Sequence, residues 1–213
     1  MHSAASQTPA KVAEPLRDDE IHLWWMDYRR EQGRAPLLAV LATYLGRPAG
    51  SLALVEGAHG RPALAAPHAA LAFNWSHSGE RALLAVARGV VPGIDLERLR
   101  PRPRALALAR RYFCAGEAAA LAGMPPDTRD EAFLGLWTAK EAVLKAIGRG
   151  LAFGLDRLEL SVPPAPLQLL RLDGDDAGAW QLQRLAPDRA HVATLAWRGA
   201  PRAVRLRTLV ADG

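Results

Sequence analysis

Cysteine is almost missing from this 213-residue chain. The single thiol, Cys114, has no partner for an internal disulfide, which is what a reducing compartment leads one to expect. No apolar run approaches the roughly 20 residues that a membrane-spanning helix needs. The opening MHSAASQTPAKVAEP also lacks the apolar stretch of a secretion signal, so a cytoplasmic protein that does not engage a membrane is expected. Lysine is scarce too: Lys11, Lys140 and Lys145 are the only three among 27 basic residues. An ammonium gives up a proton and a guanidinium effectively does not, so two lysines retained within one short segment point to a chemical need. The plain alternative is chance in an arginine-biased composition. What the chain has in quantity is apolar side chains, 50% of the total, enough to bury a core as one domain or as two small ones. The formal charge of +5 is spread along the chain and favours acidic or phosphorylated partners without naming one.

Residues 1–19 are polar and read as a mobile tail. Strands are expected at 21–27, 52–56, 70–76, 82–88 and 92–97. A helix is expected over 35–45, with Pro36 in its first turn and Gly46 just past its end. The stretch RPRPR, 100–104, is the candidate hinge between an N-terminal half (20–99) and a C-terminal half (105–213). A helical pattern covers 105–122, interrupted near Gly116, and a second, stronger one covers 130–147 and ends at Gly148. From Leu158 onward, short apolar segments alternate with turns such as DGDDAG, predicting an antiparallel meander of about four strands.

Three segments carry chemistry. In Gly93-Ile94-Asp95-Leu96-Glu97, alternation along a strand puts Ile94 and Leu96 on one face and Asp95 and Glu97 on the other. The two carboxylates then stand roughly 6.6 Å apart along the backbone, within joint reach of a hard cation such as Mg2+. An ordinary strand with one wet face shows the same pattern. On the helix DEAFLGLWTAKEAVLKAIG, Phe133, Leu134, Trp137, Leu144 and Ile147 form an apolar face with Lys140 projecting from its middle. A buried ammonium must meet an anion or snorkel to water. Glu141 and Lys145 flank that face one turn apart, and their plainest reading is a surface ion pair worth about 0.3–0.5 kcal/mol. In Phe73-Asn74-Trp75-Ser76-His77-Ser78-Gly79, a strand runs into a turn where free amides, the Ser76 hydroxyl and His77 are placed to hold a phosphate. A hairpin turn with an incidental histidine is the alternative there.

In the order FNWSHSG, GIDLE, WTAKEAVLKAIGRGL, these segments resemble the Sfp-type 4′-phosphopantetheinyl transferases over about residues 34–162. The resemblance implies an α+β fold of two similar halves related by a pseudo-twofold, each a helix on a small, mainly antiparallel sheet, with coenzyme A between them. It implies Mg2+ held by Asp95, Glu97 and Glu141, with Glu141 also placed to act as base and Lys145 to assist departure of 3′,5′-ADP. Arg34, Arg61, Ser76, His77, Lys140 and Lys145 are then the coenzyme A contacts, Arg61 standing where the family more often has lysine. The implied partner is an acyl or peptidyl carrier protein, served by a pseudo-dimeric monomer. Between Asp27 and Arg34 a longer basic segment of the family is cut short. Three rivals differ in class. An idle relative that binds coenzyme A or carrier without transfer draws on that shortening. A nucleic-acid module has only basic charge behind it, so no nucleic acid is expected. A serine hydrolase built on Ser76 or Ser78, His77 and Asp95 lacks the nucleophile elbow, and neighbouring strand residues point apart.

Overall fold

A computed structural model describes residues 15–57 and 59–209. Lys11 and most of the expected tail lie outside the described residues. The fold is α+β, with strands β1 (Glu20–Asp27), β2 (Leu54–Glu56), β3 (Pro62–Leu64), β4 (Leu71–Ser78), β5 (Arg81–Arg88) and β6 (Gly93–Arg98) in the first part of the chain, interrupted by helix α1 (Ala35–Leu45). Helices α2 (Ala105–Tyr112), α3 (Ala115–Gly123) and α4 (Pro126–Ile147) follow. Strands β7 (Leu158–Leu160), β8 (Leu169–Leu172), β9 (Trp180–Leu185), β10 (His191–Arg198) and β11 (Ala203–Leu209) complete it.

Two sheets, ordered β11-β1-β5-β4 and β6-β10-β9, pack face to face, each backed by a helix. Period-two alternation sets this up. On β1, Ile21, Leu23 and Trp25 meet Ile94, Leu96 and Leu195 of the other sheet, while Trp24 and Met26 turn outward to Leu37 and Leu41 of α1. Helix α4 covers the outer face of the second sheet: it begins at a proline in its first turn and ends at Gly148, whose φ of 72° lets its N–H cap the last carbonyls. No helix among the described residues is long and apolar enough to cross a membrane.

The sheets do not divide at residues 100–104. Strand β6 pairs antiparallel with β10, and β11 pairs parallel with β1, so each sheet takes a strand from the other part of the chain. The expected four-strand meander is therefore corrected. Strands β7 and β8 form a separate hairpin, β9 and β10 join β6, and β11 crosses away. The helical pattern over 105–122 breaks at Phe113, whose ring is buried, and not at Gly116. Glu117 accepts the Cys114 N–H at 2.9 Å and starts α3, a Cys-x-x-Glu capping signal that periodicity does not reveal.

Candidate active site

Strands β4 and β6 are edge strands of different sheets and run side by side without a backbone ladder between them. Side chains on the inward face of β4 supply the missing bonds. Asn74 Oδ1 accepts the Ile94 N–H at 2.8 Å, Ser76 donates to Asp95 Oδ1 at 2.9 Å, and Ser78 lies 3.4 Å from Glu97 Oε2 while accepting the Arg98 N–H at 3.0 Å. Asp95 and Glu97 point to the α4 side, opposite buried Ile94 and Leu96, as the alternation requires. Packing there is tight: a Cβ on Gly93 would lie 1.9 Å from the Ala142 carbonyl oxygen. Lys145 reaches across this contact and donates to Asp95 Oδ1 at 2.7 Å and to the Ile94 carbonyl at 3.0 Å.

Glu141, one turn earlier, does not pair with Lys145. Its Oε1 is buried with no hydrogen-bond partner. Burial above all, then the negative charge of Asp95, pushes its carboxyl up to about 7 against the pull of Lys145, with Glu97 adding to the rise. Glu97 is raised as well, chiefly by burial, with Arg102 opposing. The unfolded chain releases the Glu141 proton near 4.5 and the folded chain holds it to about 7, so stability falls as pH rises through that window and stays lower above it. In a chelator-containing buffer, Glu141→Gln is expected to be more stable than the parent by about 1–2 kcal/mol at pH 8, with the gap closing toward pH 5. Urea melts at both pH values check this; equal stability at pH 8 removes the account.

His77 faces the other side of β4, exposed, with its ring 4.7 Å from that of Tyr28 and 5.6 Å from that of Trp75. Partial desolvation by its neighbours, then the nearby charges of Arg30 and Lys145, lower its imidazole from the ordinary value. Arg30 lies between β1 and α1, where charge alone gives no reason to choose it over Arg29.

Four expected coenzyme A contacts stand elsewhere or are already engaged. Lys140 is fully buried and bonds Glu117 Oε2 at 2.8 Å, the Leu155 carbonyl at 2.9 Å and the Leu158 carbonyl at 2.5 Å, so its anion is internal. Arg61 gives its guanidinium to the carbonyls of Phe73, Pro92 and Ala146, joining β4, the entry to β6 and the end of α4. Arg34 stands at the start of α1 beside Glu56, 3.6 Å away. The Ser76 hydroxyl serves Asp95, and the segment read as a turn with free amides continues the strand, with Ser76, His77 and Ser78 opposite Leu83, Ala82 and Arg81 of β5.

The expected convergence of Asp95, Glu97 and Glu141 on one ion is not seen either. No three acidic, histidine or cysteine side chains among the described residues are gathered as a metal-binding group. The reason is visible in the cations: Lys145 takes Asp95, and Arg102 takes Glu97 at 2.6 Å. The donor chemistry nevertheless fits a hard divalent ion, because three carboxylates feel one another's charge and one buried oxygen has no donor. A cleft of about 810 Å³ beside the end of α4, walled by Ala72, Val91, Ala146, Phe153 and Trp180, contains none of these charged groups.

Residues 92–196 match the model of the 4′-phosphopantetheinyl transferase superfamily, and the chain belongs to that family. Among relatives, the 4′-phosphopantetheinyl transferase HetI of Nostoc sp. is 36% identical over 196 residues, spanning 88% of this chain and 81% of HetI. The L-aminoadipate-semialdehyde dehydrogenase-phosphopantetheinyl transferase of Pongo abelii is 30% identical over 184 residues, 78% of this chain and 60% of that one. The 4′-phosphopantetheinyl transferase AcpT of Salmonella typhimurium is 37% identical over 112 residues, 53% of this chain and 57% of AcpT.

Proposed function

We propose that this 4′-phosphopantetheinyl transferase moves the phosphopantetheine arm of coenzyme A to a serine hydroxyl of an acyl or peptidyl carrier protein, at the cluster formed by Asp95, Glu97, Glu141 and Lys145, with His77 on the opposite face of β4 as a phosphate contact. The observation that carries the placement is the Glu141 oxygen, buried without a donor beside the Lys145–Asp95 pair. In the ion-free chain the Glu141 carboxyl, held up to about 7, is ionised in about half of the molecules near neutral pH, and the ionised form accepts a proton from an attacking serine. Lys145, fixed by Asp95 and the Ile94 carbonyl, presents positive charge where the departing 3′,5′-ADP gains negative charge. His77, with Arg30 close by, offers a ring N–H donor to a phosphate. A divalent ion such as Mg2+, held by Asp95, Glu97 and Glu141, would neutralise the pyrophosphate as a Lewis acid. Ser76 and Ser78 act through the carboxylates they bond. A cytoplasmic monomer is the form we assign to it.

Incubated with Mg2+, coenzyme A and an apo carrier protein, the purified chain is expected to add about 340 Da to the carrier by phosphoryl transfer, read by mass spectrometry. Asp95→Ala and Glu141→Ala are expected to abolish the shift while keeping the native circular dichroism. Near-parental turnover in either variant would remove that residue from the site.

A further inference from the structure

Of the three carboxylates, Glu97 is the one held by a cation that has no other part in the proposed chemistry. Arg102 Nη2 donates to Glu97 Oε2 at 2.6 Å, and both side chains are only 24% exposed. Arg102 cannot follow Glu97 easily. Its backbone N–H is fixed to Asp130 Oδ2 at 2.7 Å, near the start of α4, and Pro101 and Pro103 on either side lock their own φ angles. Its Nε is buried without a partner, so the guanidinium is not spread over several acceptors at this place. Glu97 is tied a second time by Ser78 through the same oxygen.

We propose that Arg102 is a positioning residue that competes with the divalent ion for Glu97 and so sets how tightly the ion is held. This rests on the reading that Asp95, Glu97 and Glu141 are the ion's ligands. A cation that takes Glu97 through Oε2 must displace a short, mostly buried ion pair, which lowers affinity and keeps the ion exchangeable. The arrangement differs from that of Lys145, whose hold on Asp95 belongs to the group that meets the substrate. No pattern in the sequence reveals this, since Arg102 sits in RPRPR, where two prolines make the whole stretch read as a hinge.

The test is Mn2+ binding, followed by electron paramagnetic resonance on the full chain, alone and with coenzyme A present. Arg102→Gln is expected to tighten Mn2+ binding about fivefold, the size of a partly exposed ion pair. In a Glu97→Gln background the same substitution is expected to give less than half that gain, because the released carboxylate is no longer there. Arg102→Lys, which keeps the charge, should stay near the parent and serves if the glutamine variant folds poorly. Unchanged or weaker binding in Arg102→Gln would overturn the proposal. So would an equal gain in both backgrounds, since that is only the loss of a nearby positive charge. No saturable Mn2+ signal in the parent or any variant would instead sink the divalent-ion reading, and this inference with it.

Discussion

Gly93→Ala is expected to destabilise the chain by at least about 3 kcal/mol, the upper end of ordinary overpacking, and to remove transfer activity even where the protein stays folded. The added methyl would meet the Ala142 carbonyl oxygen at 1.9 Å and the Ala146 nitrogen at 2.5 Å. Both belong to the backbone of α4, so no rotamer change relieves the clash, and the helix must move away from β6. The Lys145–Asp95 pair spans that same contact, with 2.7 Å between its atoms, and is lost when the two elements separate. Urea denaturation and the mass-shift assay check both parts. A variant within 1 kcal/mol of the parent, as a rough threshold for surface-like changes, would show that the approach is looser than described.

Lys140→Met is expected to cost about 3–5 kcal/mol, since it leaves the Glu117 carboxylate buried without its counter-charge. Both partners are buried, with side-chain exposures of 0% and 1%. Burial lowers the Lys140 ammonium from its ordinary value, with Glu117 opposing. Pairing Lys140→Met with Glu117→Gln should recover part of the loss, because the amide oxygen still accepts one of the N–H groups of Cys114 and Leu160 that Glu117 bonds at 2.9 and 2.8 Å. Thermal melts of the two singles and the double measure the coupling. Below its melting temperature, Lys140→Met should keep the parental coenzyme A requirement per folded molecule. A raised requirement would return Lys140 to the list of phosphate contacts.

Alternation and capping were readable from sequence because they are local. Ile94 and Leu96 against Asp95 and Glu97, Pro36 and Gly46 bounding α1, and Gly148 ending α4 all follow from period and cap chemistry within a few residues. The identity of a partner from a distant element does not. Periodicity shows that Lys140 must meet an anion or snorkel to water but does not name the partner, Glu117, which lies on a different helix. Arg61 is a nucleotide contact only by the family resemblance, and its bonds to three backbone carbonyls leave no mark in side-chain identity. The bond from Ser76 to Asp95 leaves no local mark either, since the edge-to-edge meeting of β4 and β6 is a property of the sheets. Arg102 was hidden by its prolines. The break at Phe113 was missed because a cysteine stands where a serine or threonine would have signalled the cap.

The parallel pairing of β11 with β1 has a consequence for how the chain is made. As the protein emerges from the ribosome, β1 waits with one edge bare until Ala203–Leu209 has been synthesised, because no other strand among the described residues takes that side. Long-separated pairings of this kind slow folding and prolong the time that a sticky edge is exposed. The first sheet therefore reaches its final form only after Ala203–Leu209 has left the ribosome.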